Sequence, residues 1–295
     1  MFRVRTGAAG FAKDEDEEQY QSDDPQSITE YGDDTPISPS QFRRLFILNI
    51  CAAIFQSVSA FGIFFLIDDT KTYPFYTSYP LLIDGTEGNP FAGPDVQKQF
   101  SINVGYLTGT FLGLSALDHL IVCTVGKNLY ERGLEHNYNA FRWIEYALSA
   151  SLMRVLVGVL SGYNDLHAQF LLFGCTACTM LFGLVFELEN SANRLGNVRW
   201  YIFGLGWIPH FFAWTVVIGF FFYGVTQGNP GPPAFVYAII FIIFFLDLSF
   251  ALVLWLQWRG KGLFRSYVTG EIAFIILSFT SKNLLAWINF FGGNR

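Results

Sequence analysis

Seven stretches of the chain stay apolar for about twenty consecutive residues or more, and polar and charged residues gather between them. They run approximately over 43–67, 101–125, 138–162, 167–189, 199–226, 233–257 and 267–291. A membrane-spanning helix needs about 20 such residues to cross the hydrocarbon core. The pattern therefore predicts an all-α membrane protein, a bundle of seven transmembrane helices. Trp and Tyr recur near the ends of the runs, as at Trp200, Tyr201, Trp258 and Tyr267, where amphipathic rings settle at the interface. One connection is long. Residues 68–100 carry Pro74, Pro80, Pro90 and Pro94 among alternating aromatics, which predicts a small β-hairpin. Residues 1–40 are rich in Asp, Glu, Ser and Gly, with few apolar positions. They are expected to form an acidic disordered tail, ahead of a single domain over 41–293.

Composition agrees with a bilayer environment. The chain is 52% hydrophobic and only 14% charged, against about 25% charged in a soluble domain. The net charge of −6 belongs to the tail: residues 1–40 hold ten acidic and three basic residues, a net of −7, so the remainder is +1. No apolar run marks a cleavable signal peptide in residues 1–13. The four Cys give no disulfide framework, and Cys175 and Cys178, a C-x-x-C inside an apolar run, read as small packing residues. No metal or nucleophile cluster stands out, so neither a metal site nor an enzyme is expected, and no nucleic-acid partner either.

Basic residues set the orientation. With the N-terminus inside, the inner side holds Arg43, Arg44, Lys127, Arg132, Arg142, Arg194, Arg199, Arg259, Lys261 and Arg265, and the outer side holds Lys71, Lys98 and Arg295. The positive-inside rule then predicts a cytoplasmic N-terminus and an extracellular C-terminus, most simply in the cell membrane.

Charges inside the spans carry the chemistry. They are Asp118, His119, Glu145, Arg154, Asp247 and Lys282, with Glu187 and Glu189 near the end of the fourth run. A charge at the centre of a membrane helix costs about 2.5–3.5 kcal/mol on insertion scales. Lys282 is a candidate for covalent chemistry, because burial lowers an amine's pKa and frees its lone pair for a carbonyl carbon. Glu145 is its natural carboxylate partner. The same two residues also suit a purely structural Lys–Glu bridge between the third and seventh spans, as in a receptor or transporter without a chromophore. Counted from the outer ends, Lys282 and Glu145 differ in depth by about eight residues, an offset of about 12 Å along the helix axes.

Several local words sharpen this picture. They are Leu114-Ser115-Ala116-Leu117-Asp118-His119, Arg142-Trp143-Ile144-Glu145-Tyr146 with Ser149, Ser151 and Met153, and Pro233-Ala234-Phe235-Val236-Tyr237. Further on come Leu256-Gln257-Trp258-Arg259-Gly260-Lys261-Gly262, Gly270 to Ser278, and Lys282-Asn283-Leu284-Leu285-Ala286-Trp287. In this order, spread from about residue 43 to 293, they resemble the heliorhodopsins, microbial-type retinal proteins with an inverted membrane topology. The resemblance implies a retinal Schiff base on Lys282, all-trans in the dark, with Glu145 as its counterion. It implies a chromophore surround that includes Ser278, Tyr146, Ser115, His119, Gln56 and Thr176. Ser278 and Lys282, like Ser115 and His119, share a helix face by i,i+4 spacing. It further implies a photosensor with a slow cycle that signals rather than pumps, a homodimer with the fourth and fifth spans as the faces to inspect, and an unidentified cytoplasmic partner.

The chain departs from the family pattern at several places. Ala53 stands where a His is common, Thr176 where an Asn is usual, and His210 follows Pro209 where an aromatic is usual. Asp118, Arg154 and Asp247 are additional charges in the spans. Together with Glu187 they form a candidate proton path, which would favour light-gated or light-driven proton transport over pure sensing.

Overall fold

The computed structural model describes residues 36–82 and 91–293; the disordered tail expected upstream falls outside residues 36–293, except for its last five positions. Of those, Ser38 caps the first helix and Pro39 and Ser40 lie within it. Ser38 accepts a hydrogen bond from the Gln41 amide while the Gln41 side chain accepts from the Ser38 amide, and Pro39 occupies the first turn. This capping box satisfies two of the amides that a helix start leaves unpaired. Helix α1 therefore spans Pro39–Leu66 and begins four residues ahead of the predicted run.

After α1 the chain forms an antiparallel pair, β1 Tyr73–Leu82 and β2 Phe91–Ile102. The rings of Phe75 and Phe100 stack across the strands at 5.2 Å. The Tyr76 amide donates to the Asn164 carbonyl at 2.9 Å, which ties the hairpin down onto a helix connection.

The remaining helices are α2 Val104–Cys123, α3 Lys127–Glu135, α4 Ala140–Leu160, α5 Leu166–Asn190, α6 Trp200–Gln227, α7 Ala234–Arg259 and α8 Tyr267–Gly293. All except α3 are long and apolar enough to cross a membrane. Helix α3 lies in a connection that the hydropathy pattern leaves as a loop. It is a nine-residue amphipathic helix that buries Tyr130, Gly133 and Leu134 and turns its charges outward. Helix α3 shares one end of the bundle, the α3 face, with the connections α5–α6 and α7–α8; the hairpin closes the other end.

Side-chain oxygens cap the starts of three spans: Asn103 for α2, Asn139 for α4 and Asp165 for α5. Helix α7 stops at Gly260, whose φ of +59° is left-handed and where a Cβ would meet Leu195 at 2.2 Å. Arg194 seals the same corner by donating to the carbonyls of Gln257 and Arg265.

Helix α4 is the spine of the bundle. In its most apolar window 72% of residues are buried, against 22% in α5, α6 and α7. Side chains on α4 therefore face protein nearly all round, whereas α5 to α7 offer broad apolar surfaces such as Phe211, Phe212, Phe222 and Phe245 to the outside. Any polar group on α4 must find its partner inside the bundle.

Candidate functional site

Three helices converge on Lys282, which is 2% exposed on α8. Its Nζ donates to Glu145 Oε1 and Oε2 on α4, both at 2.9 Å, to Ser278 Oγ at 2.8 Å and to Ser115 Oγ on α2 at 3.0 Å. The Tyr146 ring lies 5.0 Å from the same nitrogen. Ser278 reaches it because it sits one turn earlier on the same face of α8. The depth offset expected from the sequence is halved. Helix α4 ends at Leu160 and α8 runs to Gly293, which leaves about 6 Å between the two levels. The long lysine side chain spans that distance.

On one side of this cluster lies a cavity of about 890 Å³, counting its open mouth. Lys282, Ser278 and Ser281 stand in its wall together with Trp143, Tyr146, Phe203, Trp207, Phe250 and Phe274. Apart from the lysine cluster, its ionisable wall residues are His210 and Asp247. Trp143 packs against Gly183 so closely that a Cβ there would lie 2.2 Å from the ring. Helix α5 approaches α4 through that glycine, and the indole is fixed as a flat wall of the cavity.

Toward the α3 face lies a second, polar cavity of about 340 Å³, walled by Glu145, Ser278, Asp118, His119, Asn49 and Arg142 among others. His119 Nδ1 is 2.6 Å from Asn49 Oδ1, and Asn49 Nδ2 donates to the Leu45 carbonyl at 2.9 Å. The amide oxygen must then accept from His119, so this network places an imidazole proton on Nδ1.

Beyond that cavity Arg142, also on α4, is clamped between Glu187 of α5 and Glu271 of α8. Asn139 supports both carboxylates: its amide donates to Glu187 at 3.0 Å and its side chain to Glu271 at 2.9 Å. The guanidinium also lies 4.0 Å from the Phe274 ring centre.

Toward the hairpin, Arg154 of α4 pairs with Asp247 of α7, and Trp214 of α6 donates to the same Asp247 oxygen at 3.1 Å. The Arg154 guanidinium stacks 4.1 Å from the Trp214 ring centre.

Of the residues singled out from the sequence, Lys282, Glu145, Ser278, Tyr146 and Ser115 come together directly. His119 and Asp118 stand in the neighbouring polar cavity. Thr176 is buried but donates to its own helix at Leu172, outside the lining of either cavity. Gln56 is fully buried outside both linings, and neither of its amide atoms has a hydrogen-bond partner. The four residues grouped as a proton path do not line one route: Asp118 faces the polar cavity, Glu187 belongs to the Arg142 clamp, and Arg154 pairs with Asp247.

Sequence reasoning counted Arg142 as an inner-loop cation and gave Glu271, Asn49 and Asn139 no role. A signal for Glu271 was present: Glu271, Ile275, Ser278 and Lys282 recur at helical spacing on one face of α8. Among the described residues, no group of three His, Cys, Asp or Glu side chains is placed to hold a metal ion.

The heliorhodopsin family model matches the chain over residues 45–293. No curated protein matches it.

Proposed function

The chain belongs to the heliorhodopsin family, and from that premise we propose that Lys282 carries retinal in a light-sensing photoreceptor that signals rather than pumps. The observation that carries this reading is the position of Lys282 Nζ, bonded to Glu145 and open to a deep aromatic cavity. The residues suit a long apolar aldehyde: one buried amine in the wall of a cavity whose other walls are mainly aromatic and aliphatic. Bound retinal supplies a Schiff base to Nζ, visible absorption, and a light-driven change of shape, from an all-trans ground state.

The protein's own residues do the rest. Glu145 holds a negative charge against the nitrogen, which favours the protonated form in a site with little water. Ser278 and Ser115 supply oxygens on either side of that contact. A proton leaving the nitrogen would have an adjacent destination in the polar cavity, where a neutral His119 would offer its Nε2 lone pair. Loss of the Lys282–Glu145 attraction then frees α8 from α4. This local electrostatic change biases a two-state bundle on a slow cycle. The Arg142 clamp ties α4, α5 and α8 beside the α3 face and would carry the movement there.

The N-terminus and the α3 face are cytoplasmic in this reading. Removing buried Arg142 from the inner count still leaves nine basic residues against three. A homodimer would use the exposed faces of α5 and α6. An unidentified cytoplasmic partner would receive the signal, in the cell membrane. Proton transport is the weaker reading, because its candidate charges fall into separate clusters.

Purification with all-trans retinal tests the proposal. A visible band is expected that disappears in Lys282→Ala and moves to longer wavelength, or changes its titration, in Glu145→Gln. The absence of a band favours a structural Lys–Glu bridge in a protein without chromophore, and a band that survives Lys282→Ala overturns the assignment of retinal to Lys282. A sustained, pH-dependent photocurrent under voltage clamp overturns the pure-sensor reading.

A further inference from the structure

We propose that Asp247, held by Arg154, is a second charged element of the chromophore cavity and sets its absorption wavelength. This rests on retinal occupying the cavity described above.

Asp247 stands in the wall of the same cavity as Lys282, whereas Arg154 lies behind it, outside the lining. The pair is therefore a dipole with its negative end toward the cavity. It is also remote from the nitrogen. Arg154 and Glu145 are nine residues apart on α4, about 13.5 Å of helix rise.

A brace between α4 and α7 does not require these residue types. A buried ion pair contributes little more than well-packed apolar side chains of similar volume, and often less. Arg154 is moreover incompletely satisfied. Its side chain is 4% exposed, yet Nε and Nη1 have no hydrogen-bond partner. Among the described residues, Asp247 and the Trp214 ring hold the guanidinium, and Trp214 Nε1 fixes the carboxylate oxygen that receives it. The arrangement orients one carboxylate at the cavity wall, and a buried guanidinium with two unpartnered nitrogens calls for an explanation other than bracing.

The consequence is spectroscopic. Light absorption by a polyene joined to a protonated nitrogen moves positive charge away from that nitrogen. Glu145, beside the nitrogen, stabilises the ground state and shortens the wavelength. An anion farther along the cavity stabilises the excited state and lengthens it. Asp247 is in the second position, so the two carboxylates act in opposite directions.

The test uses the full chain regenerated with all-trans retinal, reading the dark absorption maximum and, separately, thermal unfolding. Asp247→Asn is expected to move the maximum to shorter wavelength, because Arg154 is left uncompensated. The double variant Arg154→Gln/Asp247→Asn removes both ends of the dipole. It is expected to absorb between Asp247→Asn and the unmodified protein, and it keeps the proposal testable if the single variant fails to fold. Trp214→Phe, which frees the carboxylate without changing charge, is expected to give the smallest shift. Variants that lose thermal stability but keep the original maximum would show a brace only and overturn the proposal, as would a shift to longer wavelength in Asp247→Asn. The absence of any visible band in the unmodified protein removes the retinal reading itself, which a present but unmoved band does not.

Discussion

Helix α4 carries two buried arginines twelve residues apart, and they are bound in different ways. Arg142 meets two carboxylates from two helices, with Asn139 supporting both. Arg154 meets one carboxylate, shares it with an indole, and keeps two nitrogens unpartnered. The Arg142 cluster is the more nearly closed network: of its guanidinium nitrogens only Nε lacks a hydrogen-bond partner, and burial strengthens the contacts that are made. The Arg154 cluster is open on the side of the cavity. The first is built to hold helices together; the second places a charge where something else will feel it.

Substitutions at the two arginines should separate these roles. Arg142→Ala strands Glu187 and Glu271, which are 0% and 1% exposed. Breaking a buried pair by removing one partner costs about 3–5 kcal/mol. The retinal-free variant is expected to unfold far earlier in a thermal or denaturant series, or not to fold; a midpoint equal to the parent's breaks the comparison. Arg154→Ala strands a single carboxylate whose side chain is 23% exposed. Its expected loss is about 1–3 kcal/mol, the cost of leaving one polar group unpaired. A loss as large as that of Arg142→Ala would mean that both clusters are braces.

Gly183→Ala probes the wall that Trp143 forms between Arg142 and the cavity. The new methyl collides with the indole. Overpacking of this kind costs about 1–3 kcal/mol, here near the lower end because the ring has an open cavity to enter. Retinal uptake is expected to slow more than stability falls, measured as the rate at which the visible band grows. Unchanged uptake would show that the ring moves elsewhere.

Asp68, near the hairpin, is the exposed reference. The side-chain and backbone hydrogen bonds from Thr70 hold its carboxyl below the ordinary 3.8. A lowered folded-state pKa contributes stability above the unfolded value, lost as pH falls through the folded one. Thr70→Ala should therefore change the acid-unfolding profile only slightly, and only below about pH 4. A change near neutral pH would point to a role for Asp68 beyond this contact.

The seven spans and the Lys282–Glu145 contact were legible because charge is rare in apolar runs, so each one stands out. Helix α3 was not, since a short helix with Lys127, Glu131 and Glu135 on its surface has the composition of a loop. Arg142 was misplaced for a related reason. It is the third residue of α4, where a cation belongs equally to a loop or a span, and only the positions of Glu187 and Glu271 decide. The pairing of Arg154 with Asp247 joins residues 93 apart, a distance in sequence that periodicity cannot bridge. Gln56 and Thr176 show the opposite limit: the first matches a pocket-side position of the family and the second departs from one, and neither stands in the wall of the two cavities described.

Lys282 as an ammonium offers three N–H groups, and four oxygens crowd around it, two from Glu145 and one each from Ser115 and Ser278. A protonated Schiff base on the same nitrogen would offer one. The oxygens then compete for a scarce donor. Each serine hydroxyl has a proton of its own as well as lone pairs, so both would be left as donors that can turn toward Glu145, and the ring of oxygens would change from a set of receivers into a switchboard. Which connection the last proton keeps is decided by hydroxyl rotations, the cheapest movements a protein interior allows.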